Sequence, residues 1–383
     1  MQTLKVYLIA GEPSGDLLGS RLMRALKKQT KGHVAFYGVG GETMALEGLN
    51  SLFDIKDLAV MGFMEVIPSI PKILKHLDEI IADIQKIKPD IVMTIDSYSF
   101  SARVHKRLKA IGFVKPHVHC VAPQVWAWKK GRAKKIGRFV DHLFCLLPNE
   151  SQYFEPHGMS TTFIGHPVIE GGADKGNGAS FRQKYGISKN ATILCLLPGS
   201  RKNEIKYLLP VFKESVERLQ KKIPNLFVVL PTVHTVAERL KKELADWTVP
   251  YLTVTGEKER YDAFAAANVA LAASGTVSLE LAMAGVPHLI AYKVSPLTGA
   301  IAKRLLKIRF VNLLNILSDK EIIPELLQEN CTVDKVVATL QQLLKHPEQA
   351  TTESLKKLGL GLPDSPSDKL ALELQKLARK NKK

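Results

Sequence analysis

The chain has 383 residues, 45% of them hydrophobic, and a formal net charge of +17 at pH 7. This composition is typical of a folded globular protein with room for two domains. Four scattered cysteines indicate neither a disulfide framework nor a metal site, so we expect a reducing, cytoplasmic setting. We expect no signal peptide, and no apolar stretch is long enough to span a bilayer. The positive charge favours acidic partners: nucleic acid, an anionic membrane surface or phosphorylated substrates.

The first half of the chain alternates strand-like and helical patterns. Its apolar runs predict strands at residues 4–10, 33–38, 90–95, 117–122 and 142–147. Apolar strands that alternate with helices are typical of βαβ units and a parallel sheet. The stretch PVIEGGADKGNGAS, at residues 167–180, is rich in glycine and small polar residues and predicts a linker.

The second half repeats this organisation. Its predicted strands lie near residues 192–197, 226–231, 251–255, 268–273 and 287–291. We therefore predict an α/β protein with two doubly wound domains, at residues 1–167 and 180–340, and a helical segment at 341–383. Ligands of such sheets bind beyond the carboxyl ends of the strands, so two facing domains would form a cleft between them.

The loop AGEPSGDLLGS, at residues 10–20, joins the first predicted strand to the first predicted helix. Backbone N–H groups of such a turn can face an anion. The loop lacks the Gly-Lys-Ser/Thr ending of an ATP-binding loop and the dinucleotide-binding fingerprint. It remains open whether Ser14, Gly15 and Asp16 bind a ligand or only form a tight, capped turn.

Asp96 follows the apolar strand in PDIVMTIDSYSF. A carboxylate at the carboxyl end of a strand lies where a general base is needed. The alternative is that Asp96 caps the helix that follows Ser97. Position alone does not separate the two interpretations.

Two loops of the second half suit a nucleoside diphosphate. Gly199, Ser200 and Arg201 follow one strand, and Ser274-Gly275-Thr276 follow another, with Glu280 one helical turn beyond Thr276. Helix-start N–H groups and hydroxyls would hold phosphates, Arg201 would add charge, and Glu280 would accept ribose hydroxyls. The alternatives are a capped turn with a surface arginine and a glutamate on a solvated helix face. No Asp-x-Asp metal motif is visible, so cationic side chains and helix ends would stabilise a leaving diphosphate.

Residues 61–80, MGFMEVIPSIPKILKHLDEI, predict an amphipathic helix. Its apolar stripe consists of Val66, Ile67, Ile70, Ile73, Leu74 and Leu77. The ordinary interpretation is a helix face packed on the core. The basic residues that flank the stripe also suit a helix that lies in a membrane interface.

Three further features carry weaker signals. Trp126 and Trp128 lie beside a basic cluster at residues 129–138, which suits sugar or base stacking near phosphates but also a core pair and a solvated helix. His117 and His119 share one strand face, but no third ligand lies nearby in the sequence, so a metal site is not expected. His166, in IGHPV, would either face the cleft or only pack.

Seven motifs follow one another along the chain: AGEPSGDLLG, GVGGETM, MGFMEV, PQVWAW, IGHP, LPGSR and ASGTVSLE. In these motifs and their order, the chain resembles the lipid-A-disaccharide synthase family from residue 4 to about 330. The resemblance implies a GT-B fold and an inverting glycosyltransferase of lipopolysaccharide synthesis. UDP-2,3-diacylglucosamine and 2,3-diacylglucosamine 1-phosphate would give the β-1,6-linked disaccharide 1-phosphate and UDP. It also implies no metal or other cofactor, no nucleic-acid partner, and a peripheral position on the cytoplasmic face of the inner membrane. Members of the family form homodimers that exchange C-terminal segments, so the resemblance also implies a homodimer.

The resemblance also implies roles for individual residues. Arg201, the turn at 274–276 and Glu280 would bind UDP, Asp96 would be the leading candidate for the base, and Ser14 to Asp16 would lie on the acceptor side. Asn315 matches an active-site asparagine, although Leu314 stands where the family usually has proline. Two alternatives stay open: another GT-B enzyme of UDP-sugars, either a transferase or a 2-epimerase, and a basic nucleic-acid-binding protein, for which no recognition motif is present.

Overall fold

The computed structural model describes residues 3–58, 63–125, 131–273, 275–294 and 309–380, with side chains left out at 63–70, 202–203 and 234–235. The chain divides into two compact units. The first comprises Met1–Pro167 and Gly361–Lys383, and the second comprises Val168–Leu360. Among the described residues, no helix is both long and apolar enough to cross a membrane.

The first unit contains a parallel sheet of six strands in the order β2-β1-β3-β4-β5-β6. The strands are β1 (Leu4–Ala10), β2 (Val34–Val39), β3 (Ile91–Ile95), β4 (His117–Cys120), β5 (His142–Cys145) and β6 (Ser160–Phe163). The helices are α1 (Pro13–Gln29), α2 (Glu42–Leu46), α3 (Phe63–Ile87), α4 (Tyr98–Ala110), α5 (Gly131–Ile136) and α6 (Ser151–Phe154). The C-terminal helix α15 (Pro366–Lys380) completes this unit.

The four inner strands of the first unit, β1, β3, β4 and β5, are buried on both faces because helices cover both sides of the sheet. Alternate residues of β1 enter different cores: Leu8 packs with Leu22 of α1, whereas Ile9 packs with Ile80 of α3. Leu374 of α15 joins the α1 side of the sheet. The helices α3 and α4 cover the opposite side.

The second unit repeats the architecture with the order β12-β11-β10-β7-β8-β9, again parallel. The strands are β7 (Thr192–Leu197), β8 (Leu226–Pro231), β9 (Tyr251–Val254), β10 (Val269–Ala273), β11 (His288–Tyr292) and β12 (Glu325–Leu327). The helices are α7 (Gly178–Lys184), α8 (Lys202–Lys222), α9 (His234–Glu243), α10 (Glu257–Ala266), α11 (Val277–Met283), α12 (Leu313–Ser318), α13 (Val333–Lys345) and α14 (Thr352–Lys357). One core lies under α8 and α13, where Leu196 and Phe212 are fully buried.

The strand orders locate one switch point in each sheet. The chain leaves β1 towards β2 but later returns to place β3 on the other side of β1, and β10 lies beside β7 in the same manner. Ligands of doubly wound sheets bind at such points, beyond the carboxyl ends of the strands. The loops concerned are 11–12 and 96–97 in the first unit, and 198–201 and 275–276 in the second.

The structure differs from the sequence-based organisation in three places. Strands β6 and β12 were not predicted, because STTF and ELL are short and only half-buried. The predicted linker at 167–180 is packed against the rest of the second unit. Gly176 lies against Tyr261 and Ala265, and a Cβ at this position would lie 3.0 Å from Ala265 Cβ. The predicted C-terminal segment at 341–383 is divided, because α14 belongs to the second unit and α15 packs on α1 of its own chain.

Candidate functional site

The turn after β3 has an unusual backbone. Asp96 and Ser97 have φ values of +58° and +44°. Val121, just after the neighbouring strand β4, has a φ of +77°, which is rarer still for a β-branched residue. Such conformations cost energy and concentrate at functional sites. Three of them therefore lie at the carboxyl ends of two adjacent strands.

The loop after β1 holds this turn in place. Ser14 Oγ donates to Asp96 Oδ2 at 3.3 Å, and Ser97 Oγ donates to Glu12 Oε1 at 3.2 Å. Gly11 has no room for a side chain, since its Cβ would lie 2.5 Å from Ser97 Oγ. The opening loop thus fixes the position of the Asp96 carboxylate. Asp96 precedes Ser97, the N-cap residue of α4, and its Oδ1 accepts the Ser97 backbone N–H at 2.8 Å rather than an N–H within the helix.

Asp16 points away from this turn. Its buried carboxylate accepts hydrogen bonds from the backbone N–H groups of Gly41, Thr43 and Met44 at 2.7, 2.9 and 3.0 Å. Thr43 Oγ1 donates a fourth bond at 2.7 Å. These N–H groups belong to the start of α2, so Asp16 holds that helix against α1. Gly15 packs tightly on β3, where a Cβ would lie 3.2 Å from the Ile95 carbonyl oxygen. The geometry assigns Asp16 and Gly15 to the framework of the loop.

The turn after β7 already contains an anion, the carboxylate of Glu204. Glu204 Oε2 accepts from the backbone N–H groups of Ser200 at 2.9 Å and Arg201 at 3.2 Å, and Arg201 Nη1 lies 3.2 Å from Oε1. Gly199, with a φ of +112°, is required because a Cβ would lie 2.6 Å from Glu204 Cβ. The expected binding of phosphate by these N–H groups is therefore corrected: Glu204 occupies them. The Arg201 side chain, 61% exposed, remains the group open to a ligand.

Strand β10 lies next to β7, and Ser274, which follows it in the chain, is outside the described residues. Gly275 and Thr276 are exposed at the start of α11. Glu280 is 17% exposed, and its Oε1 accepts from Arg260 Nη2 at 2.9 Å. Arg260 was not predicted as a partner of Glu280, because the two residues are twenty positions apart and no local sequence pattern connects them. Arg260 and the hydroxyl of Tyr261, which donates to the same oxygen at 3.4 Å, hold the Glu280 carboxylate in place.

Asn315 is not open to a ligand. It is fully buried, and its Nδ2 donates to the Ile323 carbonyl and to Glu325 Oε1 at 2.8 and 2.7 Å. Its Oδ1 accepts from the N–H groups of Ile322 and Ile323, both at 2.9 Å. The predicted UDP contact is therefore corrected to a structural role. The missing proline has a reason as well: the Leu314 N–H, which proline lacks, donates to Asn312 Oδ1 at 2.8 Å and caps α12.

Two of the three described side chains in the apolar stripe of α3 are part of the core. Ile73 and Leu77 are 9% and 6% exposed and pack with Ile80. Leu74, in contrast, is 48% exposed. A membrane-contact role for Ile73 and Leu77 is therefore wrong. The side chains of Val66, Ile67 and Ile70 are outside the described residues, as are Trp126 and Trp128.

The two histidines of β4 belong to a buried polar cluster with Thr94 and His105. Across the described ranges, no group of three or more His, Cys, Asp or Glu side chains has the arrangement of a metal site. Burial lowers the pKa of His119 to about 4 and that of His105 well below its usual range. Both rings are therefore neutral at pH 7. His166 is half-buried, and desolvation of its ring lowers its pKa to about 4.

Comparisons with a family model and with individual proteins match the same family over nearly the whole chain. A family model described as Lipid-A-disaccharide synthetase matches residues 6–362. A lipid-A-disaccharide synthase of Rhodospirillum centenum is 48% identical over 379 residues, which are 97% of this chain and 94% of the relative. One from Paramagnetospirillum magneticum is 49% identical over 374 residues, 96% of this chain and 95% of the relative.

Solved structures resemble the fold at low sequence identity. UDP-GlcNAc 2-epimerase from Neisseria meningitidis, bound to UDP-GlcNAc, matches with a TM-score of 0.63 at 13% identity, covering 97% of this chain and 100% of the other. Acinetobacter baumannii MurG matches with a TM-score of 0.56 at 14% identity, covering 97% and 99%. At this identity the likeness establishes the fold alone, the two-domain GT-B fold.

Proposed function

The chain belongs to the lipid-A-disaccharide synthase family, and from this premise we propose how its two units divide the work of the reaction. It is a glycosyltransferase that joins UDP-2,3-diacylglucosamine to 2,3-diacylglucosamine 1-phosphate and forms the lipid A disaccharide 1-phosphate and UDP. The family membership separates it from the 2-epimerases, which share its fold, and from nucleic-acid-binding proteins, which the net charge alone would allow.

The second unit binds the UDP part of the donor. Arg201 contacts the diphosphate, because it presents an exposed cation at the switch point between β7 and β10. Gly275 and Thr276 present the start of α11 to the phosphates, and Glu280, oriented by Arg260, accepts the ribose hydroxyls. Gly199 and Ser200 contribute by seating Glu204, which supports Arg201.

Asp96 of the first unit is the general base. The acceptor 6-hydroxyl attacks the anomeric carbon of the donor, and its proton passes to the Asp96 carboxylate. The new carbon–oxygen bond forms as the bond from the anomeric carbon to the phosphate oxygen breaks, which inverts that carbon. UDP leaves with the bonding electron pair, and Arg201 stabilises the charge that develops on it.

One observation carries this proposal: Asp96 lies in a strained turn at the switch point of its sheet, and Ser14 of the opening loop holds its carboxylate. Consecutive left-handed residues cost free energy and concentrate at functional sites, which supports a role for this turn beyond folding. The direct test supplies both acylated substrates and follows the disaccharide 1-phosphate and UDP. Formation of both products supports the proposal, and UDP release without a disaccharide would contradict it.

The proposal includes catalysis without a metal ion. The electrostatic role falls to Arg201 and to the start of α11, so activity should persist in excess EDTA. Loss of activity on chelation, with recovery on adding Mg²⁺ or Mn²⁺, would contradict this part.

The setting of the enzyme is part of the same proposal. Both substrates carry acyl chains, the net charge of +17 attracts anionic lipid, and Leu74 is exposed on α3. We place the protein on the cytoplasmic face of the inner membrane as a peripheral enzyme and as a homodimer. Flotation with anionic vesicles tests the first statement, and sedimentation equilibrium tests the second.

A further inference from the structure

A chain of hydrogen-bonded polar side chains runs through the core of the first unit. Thr94 Oγ1 lies 2.7 Å from His105 Nε2 and 2.7 Å from His119 Nδ1. His105 Nδ1 lies 3.1 Å from His117 Nδ1. Thr94, His105 and His119 are at most 1% exposed, and His117 is 5% exposed. Burying four polar side chains is costly unless each finds hydrogen-bond partners. The hydrogen bonds along this chain therefore offset the cost of burial.

The chain reaches the surface at one end. Asp141 is 57% exposed, and its Oδ2 lies 3.7 Å from His117 Nε2 and accepts the His117 backbone N–H at 2.9 Å. A carboxylate accepts hydrogen bonds only, so it favours a proton on His117 Nε2. Burial lowers the pKa of His117, so this ring is neutral at pH 7 and its Nδ1 is then the acceptor.

This choice determines every other proton in the chain. Because His117 Nδ1 accepts, His105 donates from Nδ1 and accepts at Nε2. Thr94 then donates its hydroxyl proton to His105 and accepts from His119. His119 must therefore carry its proton on Nδ1, which leaves a lone pair on Nε2.

His119 Nε2 has no hydrogen-bond partner among the described residues, although the side chain is fully buried. An unpaired buried acceptor in a native structure calls for an explanation. His119 pairs in register with Thr94, and Asp96 N–H donates to the Cys120 carbonyl at 3.0 Å. In the paired strands β3 and β4, His119 therefore lies opposite Thr94, two residues before Asp96 along the chain. The ring of Tyr98, centred 6.4 Å away, lies edge-on to the His119 ring.

We propose that the chain from Asp141 through His117, His105 and Thr94 holds His119 in the Nδ1–H form, so that His119 Nε2 accepts a hydrogen bond from a hydroxyl group of the bound acceptor sugar. The ligand class follows from the atom, because a bare imidazole nitrogen at neutral pH selects an O–H or N–H donor and repels a phosphate oxygen. The identity of the acceptor rests on the proposed function, whereas the protonation state of His119 does not. His119 is then a specificity contact, and Asp141 and His117 are positioning residues.

The first test is an NMR measurement on the free wild-type protein. Long-range ¹H–¹⁵N correlation distinguishes the protonated from the bare ring nitrogen of each histidine. We expect a bare Nε2 and a protonated Nδ1 for His119, and a mixture of the two forms in Asp141→Asn, whose amide can donate towards His117. A protonated Nε2 in the wild type would overturn the proposal. An unchanged His119 tautomer in Asp141→Asn would show that Asp141 does not determine it, which would overturn that part of the proposal.

The ¹⁵N resonance of His119 Nε2 also reports whether a ligand contacts this atom. Addition of a short-chain 2,3-diacylglucosamine 1-phosphate should shift His119 Nε2, and addition of UDP should leave it unchanged. Binding of the acceptor, established by calorimetry, without a shift at Nε2 would overturn the contact. If the wild type forms no disaccharide, the proposed function fails, and the tautomer measurement still decides the state of His119.

A matched pair of variants gives the kinetic test. The amide of His119→Asn reaches the position of Nδ1 and can still bond Thr94, whereas the amide of His119→Gln reaches the position of Nε2. Loss of one neutral hydrogen bond should raise the KM for the acceptor about tenfold in His119→Asn, and His119→Gln should stay within about threefold of the wild type. The KM for the UDP-sugar should not change in either. Equal acceptor KM values in both variants and the wild type would overturn the proposal.

Discussion

The carboxylate of Asp16 binds Thr43 twice: its Oδ2 accepts the backbone N–H at 2.9 Å and the side-chain hydroxyl at 2.7 Å. The two residues connect the first turn of α1 to the first turn of α2. An acidic group at the start of a helix satisfies N–H groups that have no partner within the helix. Asp16 thus acts on folding, although its loop reads as a ligand-binding turn.

Asp16→Ala should therefore reduce stability. It leaves the N–H groups of Gly41, Thr43 and Met44 without their acceptor, so the free energy of unfolding should fall by about 1–3 kcal/mol. Urea denaturation measures this change, with the exposed Glu42→Ala on the same helix as the control. Unchanged stability combined with lost turnover would return Asp16 to acceptor binding.

Arg201→Ala tests the donor site. Losing the exposed cation beside the leaving diphosphate should reduce kcat about 10²- to 10³-fold and weaken UDP binding. Arg218→Ala is the matched control, since Arg218 makes only surface ion pairs, to Glu214 and Asp334. Calorimetry that finds the same UDP affinity in Arg201→Ala and the wild type would show that the diphosphate binds elsewhere.

Two neighbouring leucines of α3 should behave in opposite ways. Leu77→Ala creates a cavity in the core and should lower the free energy of unfolding by about 2–5 kcal/mol. Leu74→Ser changes an exposed side chain, so stability should change by less than about 0.5 kcal/mol while flotation with anionic vesicles decreases. Undiminished flotation of Leu74→Ser would exclude this part of α3 as a membrane contact.

Buried histidines should make the fold sensitive to acid. Burial lowers the pKa of His119, His166 and His288 from 6.5 to about 4. The unfolded chain binds protons that the folded chain excludes, so stability is full above pH 6.5 and falls as the pH decreases towards 4, by on the order of 3 kcal/mol for each ring.

Glu150 acts in the opposite direction. Burial raises its pKa from 4.5 to about 7. Its contribution to stability is therefore present below pH 4.5 and lost as the pH rises through 7. One carboxyl group does not offset three histidines. Urea denaturation between pH 7.5 and 4.5 should show decreasing stability towards acid; a flat or rising profile would show that the rings become protonated within the fold.

The sequence predicted most strands because parallel strands are buried on both faces and stand out as continuous apolar runs, such as TILCLL of β7. It also located the switch-point loops, since glycine-rich turns after strands are local signals. The GT-B fold and the family are confirmed.

The details of the site depended on contacts between distant residues. The turn at Ser200 looks open to phosphate until Glu204 is seen to occupy its N–H groups. Asn315 looks like a ligand contact until Glu325 and Ile323 are found around it. Helix periodicity identified the stripe of α3, but it could not distinguish a face that meets the core from one that meets solvent.

The turnover of Asp96→Asn tests the central claim most directly. The substitution keeps the shape of the side chain and removes its basicity, so the rate of disaccharide formation from both acylated substrates should fall about 10²- to 10⁴-fold. UDP affinity should not change, because the proposed UDP site is in the second unit. Ser14→Ala, which removes the 3.3 Å hydrogen bond to Asp96 but keeps the carboxylate, should cost about tenfold or less. Turnover of Asp96→Asn close to that of the wild type would contradict the assignment of Asp96 as the base.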